Sequence, residues 1–169
     1  KKGFDILLEA FDAVHKRYPN TRLTVCGGED KEQNYPELVK RYDLGDAFRF
    51  TGRISREECA RYMRENQIFV LPSRAETFGV VYIEAMACGL PIIQTKIGAW
   101  TMLTTPETGL AVDTENVSQL VDAMISAMEH YDSYDPQTIR NYCRENFSSE
   151  GVARQLTGIY ESLTAQRKG

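Results

Sequence analysis

Val70-Leu-Pro-Ser-Arg-Ala-Glu-Thr-Phe-Gly-Val-Val-Tyr-Ile-Glu-Ala-Met-Ala-Cys-Gly-Leu-Pro-Ile-Ile93 is the stretch on which the fold turns. The apolar run Ile68-Phe69-Val70-Leu71 reads as a buried strand stopped by Pro72. A polar loop from Ser73 to Thr77 leads through Phe78-Gly79 into a second apolar run: Val80, Val81, Ile83, Ala85, Met86, Ala87 and Cys88. These side chains surround a helix on its whole circumference, so the reading is a buried helix. Gly89 stands at its C-cap, Pro91 lies beyond, and Ile92-Ile93 opens the next strand. Glu76 in the loop and Glu84 in the helix break the apolar pattern, with seven residues between them. A carboxylate in such surroundings is costly unless it is hydrogen-bonded. Glu84 falls in the first two turns, where free N–H groups and the helix dipole favour an anion. A dipole-stabilised glutamate without a ligand fits these residues, and so does a phosphate site preceded by Gly79. Glu76 favours a site, because it lies just outside a strand's carboxyl end, where open α/β sheets bind ligands.

The 169 residues suit one domain with a sizeable core. Hydrophobic content of 42% and charged content of 26% are ordinary for a globular protein. A net charge of −4 argues against a nucleic-acid partner, whose proteins carry a basic stripe. No apolar run reaches the length of a membrane-spanning helix, and no signal peptide is visible. Cys26, Cys59, Cys88 and Cys143 lack Cys-x-x-Cys spacing, so neither a metal site nor a disulfide is expected, and reduced, buried thiols in a cytoplasmic protein are. His15 and His130 lie far from any paired acid and read as surface residues. The chain starts Lys1-Lys2-Gly3 without a methionine and reads as an excised domain.

Outward from the central stretch, strand and helix alternate every 20 to 25 residues. Helices are expected at 4–18, 36–42, 55–66, 116–128 and 136–144, with a last one capped by Ser148. Its apolar face would be Val152, Leu156, Ile159, Tyr160 and Leu163. Strands are expected at 22–26, 48–51, 68–71, 91–95 and 109–113, and a loop at 99–106. Ser55, followed by Arg56-Glu57-Glu58, reads as an N-cap. The alternation predicts an α/β fold, a Rossmann-like parallel sheet with helices on both faces. Extra C-terminal helices, residues 132–169, are expected to pack on this unit.

Each strand ends in glycine or small polar residues: Gly27-Gly28, Gly52, Pro72-Ser73, and Thr95 before Gly98. In a right-handed parallel sheet those ends line one crevice, and beside Glu76 and Gly79 they favour a nucleotide site. Gly-x-Gly-x-x-Gly is absent, Cys26-Gly-Gly-Glu-Asp30 does not supply it, and no Gly-Lys-Ser/Thr loop occurs. These absences argue against dinucleotide-dependent dehydrogenases and P-loop NTPases. No Cys-His or Ser-His-Asp pattern suggests a hydrolase. A non-catalytic nucleotide-binding or interaction module is the alternative from another class.

Leu-Pro-Ser-x-x-Glu-x-Phe-Gly, containing Glu76 and followed by Glu84-Ala-Met-Ala-Cys-Gly-Leu-Pro, resembles the signature of retaining glycosyltransferases of the GT-B architecture (glycosyl transferases group 1). That large family includes sucrose synthase and bacterial mannosyl- and glucosyltransferases. A sugar-nucleotide epimerase shares the architecture and is a second alternative. The resemblance runs nearly end to end and implies the carboxyl-terminal, donor-binding half of the fold. It implies no cofactor and no metal, with a UDP- or GDP-sugar as donor substrate. Glu84 would accept from the ribose hydroxyls, and Glu76 from hydroxyls of the transferred sugar. Backbone N–H groups at Phe78, Gly79 and Val80 would hold the donor's phosphates or sugar. Lys2 would neutralise the diphosphate, so Glu76 and Lys2 are the catalytic candidates. Arg53 and Ile54, in Phe50-Thr-Gly-Arg-Ile54, match the turn that meets the base, and Gly28 and Ser73 complete the donor set.

The resemblance also implies a glycan or lipid-linked acceptor, held by an amino-terminal domain that this chain lacks. A place in polysaccharide biosynthesis, a peripheral membrane contact of the full-length protein and an inactive isolated chain follow from the same resemblance. Two departures stand out. Gly98-Ala-Trp-Thr-Met102 replaces the family's Gly-Gly-x-Pro-Glu, and Gly27-Gly28-Glu29 replaces Gly-x-Gly. The family's first strand would precede Lys1, in the middle of the sheet. The strands at 22–26 and 68–71 are therefore expected either to close up against each other or to have a segment of another chain fill the gap between them.

Overall fold

The computed structural model describes residues 2–28 and 35–166, with side chains through residue 164. Glu29 and Asp30, into which the Gly27-Gly28 pair runs, lie outside these residues. Five short strands run parallel to their neighbours. Strand β1 (Leu23–Val25) pairs with β2 (Phe48–Phe50), while β3 (Phe69–Leu71), β4 (Ile92–Thr95) and β5 (Gly109–Val112) form a second sheet with β4 in the middle. The helices between them are α1 (Phe4–Arg17), α2 (Tyr35–Val39), α3 (Arg56–Glu65), α4 (Val80–Ala87), α5 (Trp100–Leu103) and α6 (Val117–Glu129). Helices α7 (Pro136–Phe147) and α8 (Ser149–Gln166) close the chain.

Two apolar clusters cover the two faces of the sheets. On one face α1 contributes Phe4, Leu8, Phe11 and Val14, and α6 contributes Leu120, Met124 and Ala127. On the other, Met63 of α3 meets Tyr82, Ala85 and Met86 of α4 and Ile139 and Cys143 of α7. The architecture is thus the α/β arrangement expected, a parallel sheet with helices on both sides. Local chemistry starts the helices where the sequence implies. Ser55 and Glu58 form a reciprocal capping box at α3, Asn116 caps α6, and Asp135 caps α7 with Pro136 following.

Four expectations need correction. Residues 100–103 form a short helix, α5, rather than loop, because Gln94 beneath them offers its amide to the Trp100 carbonyl and the Thr104 hydroxyl. Helix α4 is not buried all round: Val80, Glu84 and Ala87 are exposed on one face and only Tyr82, Ala85 and Met86 are fully buried. The apolar circumference overstated burial because one face of α4 borders a cavity rather than packed side chains. Strands β1 and β3 neither pair nor close up, and the sheet is split between them. Finally, α8 touches α7 but holds Val152, Leu156, Ile159, Tyr160 and Leu163 at 42–66% exposure.

Gly109 fixes the spacing of β4 and β5. It opens β5 at φ 146°, directly opposite Ile92, and a Cβ there would collide with the Ile92 backbone carbonyl. Gly109→Ala should destabilise the protein by at least about 2 kcal/mol, since both φ and the strand spacing must yield. Urea unfolding of the two proteins measures this. A change below about 0.5 kcal/mol, typical of surface sites, would show that the strand can shift freely.

Candidate functional site

The loop from Pro72 to Gly79 is fastened at three points. At its start Ser73 is fully buried, and its carbonyl accepts from Thr95 Oγ1 at 2.6 Å. Next, the Arg74 guanidinium donates to both Asp5 carboxylate oxygens in the first turn of α1, each at 2.7 Å. Arg74 also donates to Glu115, before α6, at 3.2 Å and through a second, shorter bond. Glu115 sits at φ 59°, a conformation uncommon outside glycine. The Arg74 hydrogen bond holds the Asp5 carboxyl below its usual range against the opposing effect of burial, and the two carboxylates raise Arg74 in turn. The third fastening is Gly98, whose missing Cβ would lie 2.6 Å from the Glu76 carbonyl oxygen. Ala99 N–H then donates to the Thr77 carbonyl at 3.2 Å.

So held, the loop presents Glu76 to Lys2, with Nζ 2.5 Å from Oε2. Gly79, at φ 80°, turns the chain into α4. The exposed face of α4 carries Glu84 and Ala87 to the wall of a cavity of about 680 Å3. Gly27, Arg53, Ile54 and Ser55 line it as well, from the carboxyl ends of β1 and β2. Gly28 stands over the Arg53 side chain, where a Cβ would come within 2.7 Å of Nε. Burial raises the Cys59 and Cys88 thiols on the same wall, so both stay protonated near neutrality.

The structure therefore gathers Arg53, Ile54 and Glu84 about one cavity, sets Gly28 against the Arg53 side chain outside that cavity's lining, and sets Glu76 and Lys2 as a pair. Phe78, Gly79 and Val80 stand at the start of α4 and do not line that cavity; Phe78 instead lays its ring edge-on to Phe147 at 6.0 Å. Ser73 is not open to a ligand through its side chain, being buried, and supports the loop through its carbonyl. Met102, where an acid was expected by resemblance, is 53% exposed, and its carbonyl accepts from Tyr142. The Arg74 clamp was missed because its partners lie 69 and 41 residues away. Among the described residues no group of three or more metal-ligating side chains could hold an ion, and no helix is long and apolar enough to cross a membrane.

A parallel α/β unit with acids and glycines gathered at the carboxyl ends of its strands matches solved structures of the GT-B glycosyltransferase architecture. The sequence model of Glycosyl transferases group 1 matches residues 1–146, and the chain belongs to that family. It is similar to the lipopolysaccharide core biosynthesis mannosyltransferase LpsB of Rhizobium meliloti, at 30% identity over 96% of this chain and 49% of that protein. Sucrose-phosphate synthase from Thermosynechococcus elongatus superposes with a TM-score of 0.75 at 30% identity, over 94% of this chain and 42% of the other. HepE of Anabaena, solved with UDP-glucose, shares the fold at 21% identity and a TM-score of 0.78, over 95% of this chain and 45% of that one. The chain spans about half the length of the curated relatives it matches.

Arg74→Gln should cost roughly 1–2 kcal/mol, less than a fully buried pair because solvent reaches all three groups. Asp5 sets the sign of the pH dependence. A depressed carboxyl contributes above its ordinary value near pH 4, and the contribution disappears as pH falls through the folded value. Unfolding of both proteins between about pH 7 and pH 2 should show their difference steady at first and shrinking below about pH 4. A constant gap across that range would mean Asp5 is not the stabilising partner.

Proposed function

We propose that this chain is the nucleotide-sugar-binding domain of a retaining glycosyltransferase, which transfers a hexosyl group from a UDP- or GDP-sugar to an acceptor. The supporting observation is the 680 Å3 cavity that places Glu84 in one wall with Gly27, Arg53 and Ile54, at the carboxyl ends of the strands. In this reading the base rests at the Arg53-Ile54 turn and Glu84 accepts from the ribose hydroxyls. The diphosphate runs towards the start of α4, where free N–H groups at Phe78, Gly79 and Val80 meet it. Glu76 accepts from hydroxyls of the sugar, and Lys2 shifts from Glu76 onto the diphosphate.

In transfer, the bond from the anomeric carbon to the diphosphate oxygen breaks and the acceptor hydroxyl oxygen takes its place. The nucleoside diphosphate leaves with the bonding electrons, and its phosphate oxygen takes the proton that the acceptor hydroxyl gives up. Negative charge grows on the leaving phosphate, so a lysine and a helix N-terminus fixed beside it act where that charge develops. No cofactor or metal is needed in this scheme. The acceptor, a glycan or lipid-linked molecule, would be held by an amino-terminal domain, since transfer requires its hydroxyl placed against the anomeric carbon on the face from which the diphosphate leaves. The whole enzyme would then work in the cytoplasm in polysaccharide biosynthesis, touching a membrane only peripherally, and these residues alone would bind donor weakly and transfer no sugar.

Calorimetry with UDP, GDP and their sugars tests the assignment. Glu84→Gln should weaken nucleotide binding by roughly 1.5–3 kcal/mol, about 10- to 150-fold, because a charged acceptor is lost. Its melting temperature should hold, because Glu84 is exposed and makes no ion pair among the described residues. Glu76→Gln should weaken the nucleotide-sugar and spare the free diphosphate. Unchanged binding with a sharp fall in melting would make Glu84 a helix-dipole residue. No stabilisation by any nucleotide-sugar would favour an interaction module.

A further inference from the structure

Three thiols line the same 680 Å3 cavity as Glu84. Cys26 follows β1, Cys59 stands on α3, and Cys88 ends α4. All three are free and only half-buried. The fourth cysteine, Cys143, is buried in the core and points its sulfur at the Ile83 carbonyl, 3.4 Å away. A small reagent that enters the cavity therefore meets three sulfurs, while Cys143 is out of its reach.

Cys88 has the surroundings that favour reaction. It lies one turn beyond Glu84, whose carbonyl accepts from the Cys88 N–H at 3.2 Å, so the two side chains share a face of the helix. Its thiol leans on the Ala60 carbonyl of α3 at 3.9 Å, beside Cys59. Arg140 of α7 donates to the Cys88 carbonyl at 3.4 Å, and Arg64 of α3 stands near the sulfur. Both guanidiniums favour a thiolate, while burial and Glu84 oppose it, and burial prevails. Around Cys59 the neighbours Cys26, Glu84 and Cys88 all add to the effect of burial. Only a thiolate attacks a disulfide, so exchange here is slow near neutrality and Cys88 leads Cys59.

We propose that this thiol-lined cavity is a modification site, in which Cys88 forms a mixed disulfide with a low-molecular-weight disulfide and the adduct stands beside Glu84, where the ribose would rest. The Cys88 thiolate attacks one sulfur of the reagent. The reagent's S–S bond breaks, a new S–S bond joins one half to Cys88, and the other half leaves with the electron pair and takes up the proton that Cys88 released. The reagent is reduced as Cys88 is oxidised, so no further oxidant is needed. The same exchange, run backwards by an added thiol, removes the adduct. Occupancy of the cavity then follows the ratio of disulfide to thiol around the protein. Exclusion of a nucleotide by the adduct rests on the donor reading, whereas modification of Cys88 does not.

The probe is hydroxyethyl disulfide, applied to the folded 169-residue chain. Peptide mapping by mass spectrometry should place the first adduct on Cys88 and none on Cys143. The rate should climb about tenfold per pH unit between about pH 7 and pH 9, as the thiolate fraction does below the raised value of the thiol. By calorimetry the modified chain should bind UDP or GDP at least about tenfold more weakly, and dithiothreitol should restore the affinity. In Cys88→Ser, treatment should leave the affinity where it stood before the reagent was added. A first adduct on Cys26 or Cys59, or equal labelling of all four cysteines, would overturn the proposal. Unchanged nucleotide affinity in a chain modified at Cys88 would overturn the placement of the adduct beside Glu84. If the untreated chain binds no nucleotide, the donor reading fails, and the mapping alone decides whether Cys88 is the modified thiol.

Discussion

Among the described strands β4 alone has neighbours on both sides, and the loops around the candidate site hang from its two buried polar residues. Thr95 donates to the Ser73 carbonyl and so sets the height of the Glu76 loop. Gln94 donates to the Thr104 hydroxyl and the Trp100 carbonyl and so holds α5. A net hydrogen bond is worth only about 1 kcal/mol, but a buried group left unpaired costs about 1–3. The two residues thus specify where the loops sit more than how stable the sheet is.

Helix α4 shows how one segment serves packing and a site at once. Tyr82, Ala85 and Met86 fill the core beneath it, and Tyr82 donates to the Leu71 carbonyl, locking the helix to the strand before it. Val80, Glu84 and Ala87 form the opposite face. The short Pro72–Gly79 connection ties the position of Glu76 to that of Glu84, because Arg74, Thr95 and Gly98 remove most of the loop's freedom. Shifting any one of these supports moves both carboxylates together.

Much of this was legible in the residues. Periodicity located α1, α3, α6 and α7 within a few residues, and alternation with glycine-ended strands implied the parallel sheet. Periodicity misread α4, because apolar composition cannot distinguish a face against packed side chains from one beside a cavity. It missed the helical turn at Trp100, whose stability rests on a hydrogen bond from Gln94. The Arg74 clamp had no signature either: three charged residues at positions 5, 74 and 115 meet only after the chain has folded. Ser73, placed in the donor set by resemblance, lies buried, with its carbonyl held by Thr95.

The Lys2–Glu76 pair bears on how a ligand would reach this surface. The two charges cancel, Arg53 stands in the same cavity as Glu84, and the chain as a whole carries −4. An anion therefore meets no attractive field at a distance. Its encounter with the site has no electrostatic steering, with an association rate no higher than on the order of 10⁵–10⁶ M⁻¹s⁻¹ that rises as added salt screens the net charge. Any strength of binding must then reside in the departure step, in contacts made only after arrival. Anions that cannot make those contacts come and go at the same rate of approach and are rejected by brief residence alone.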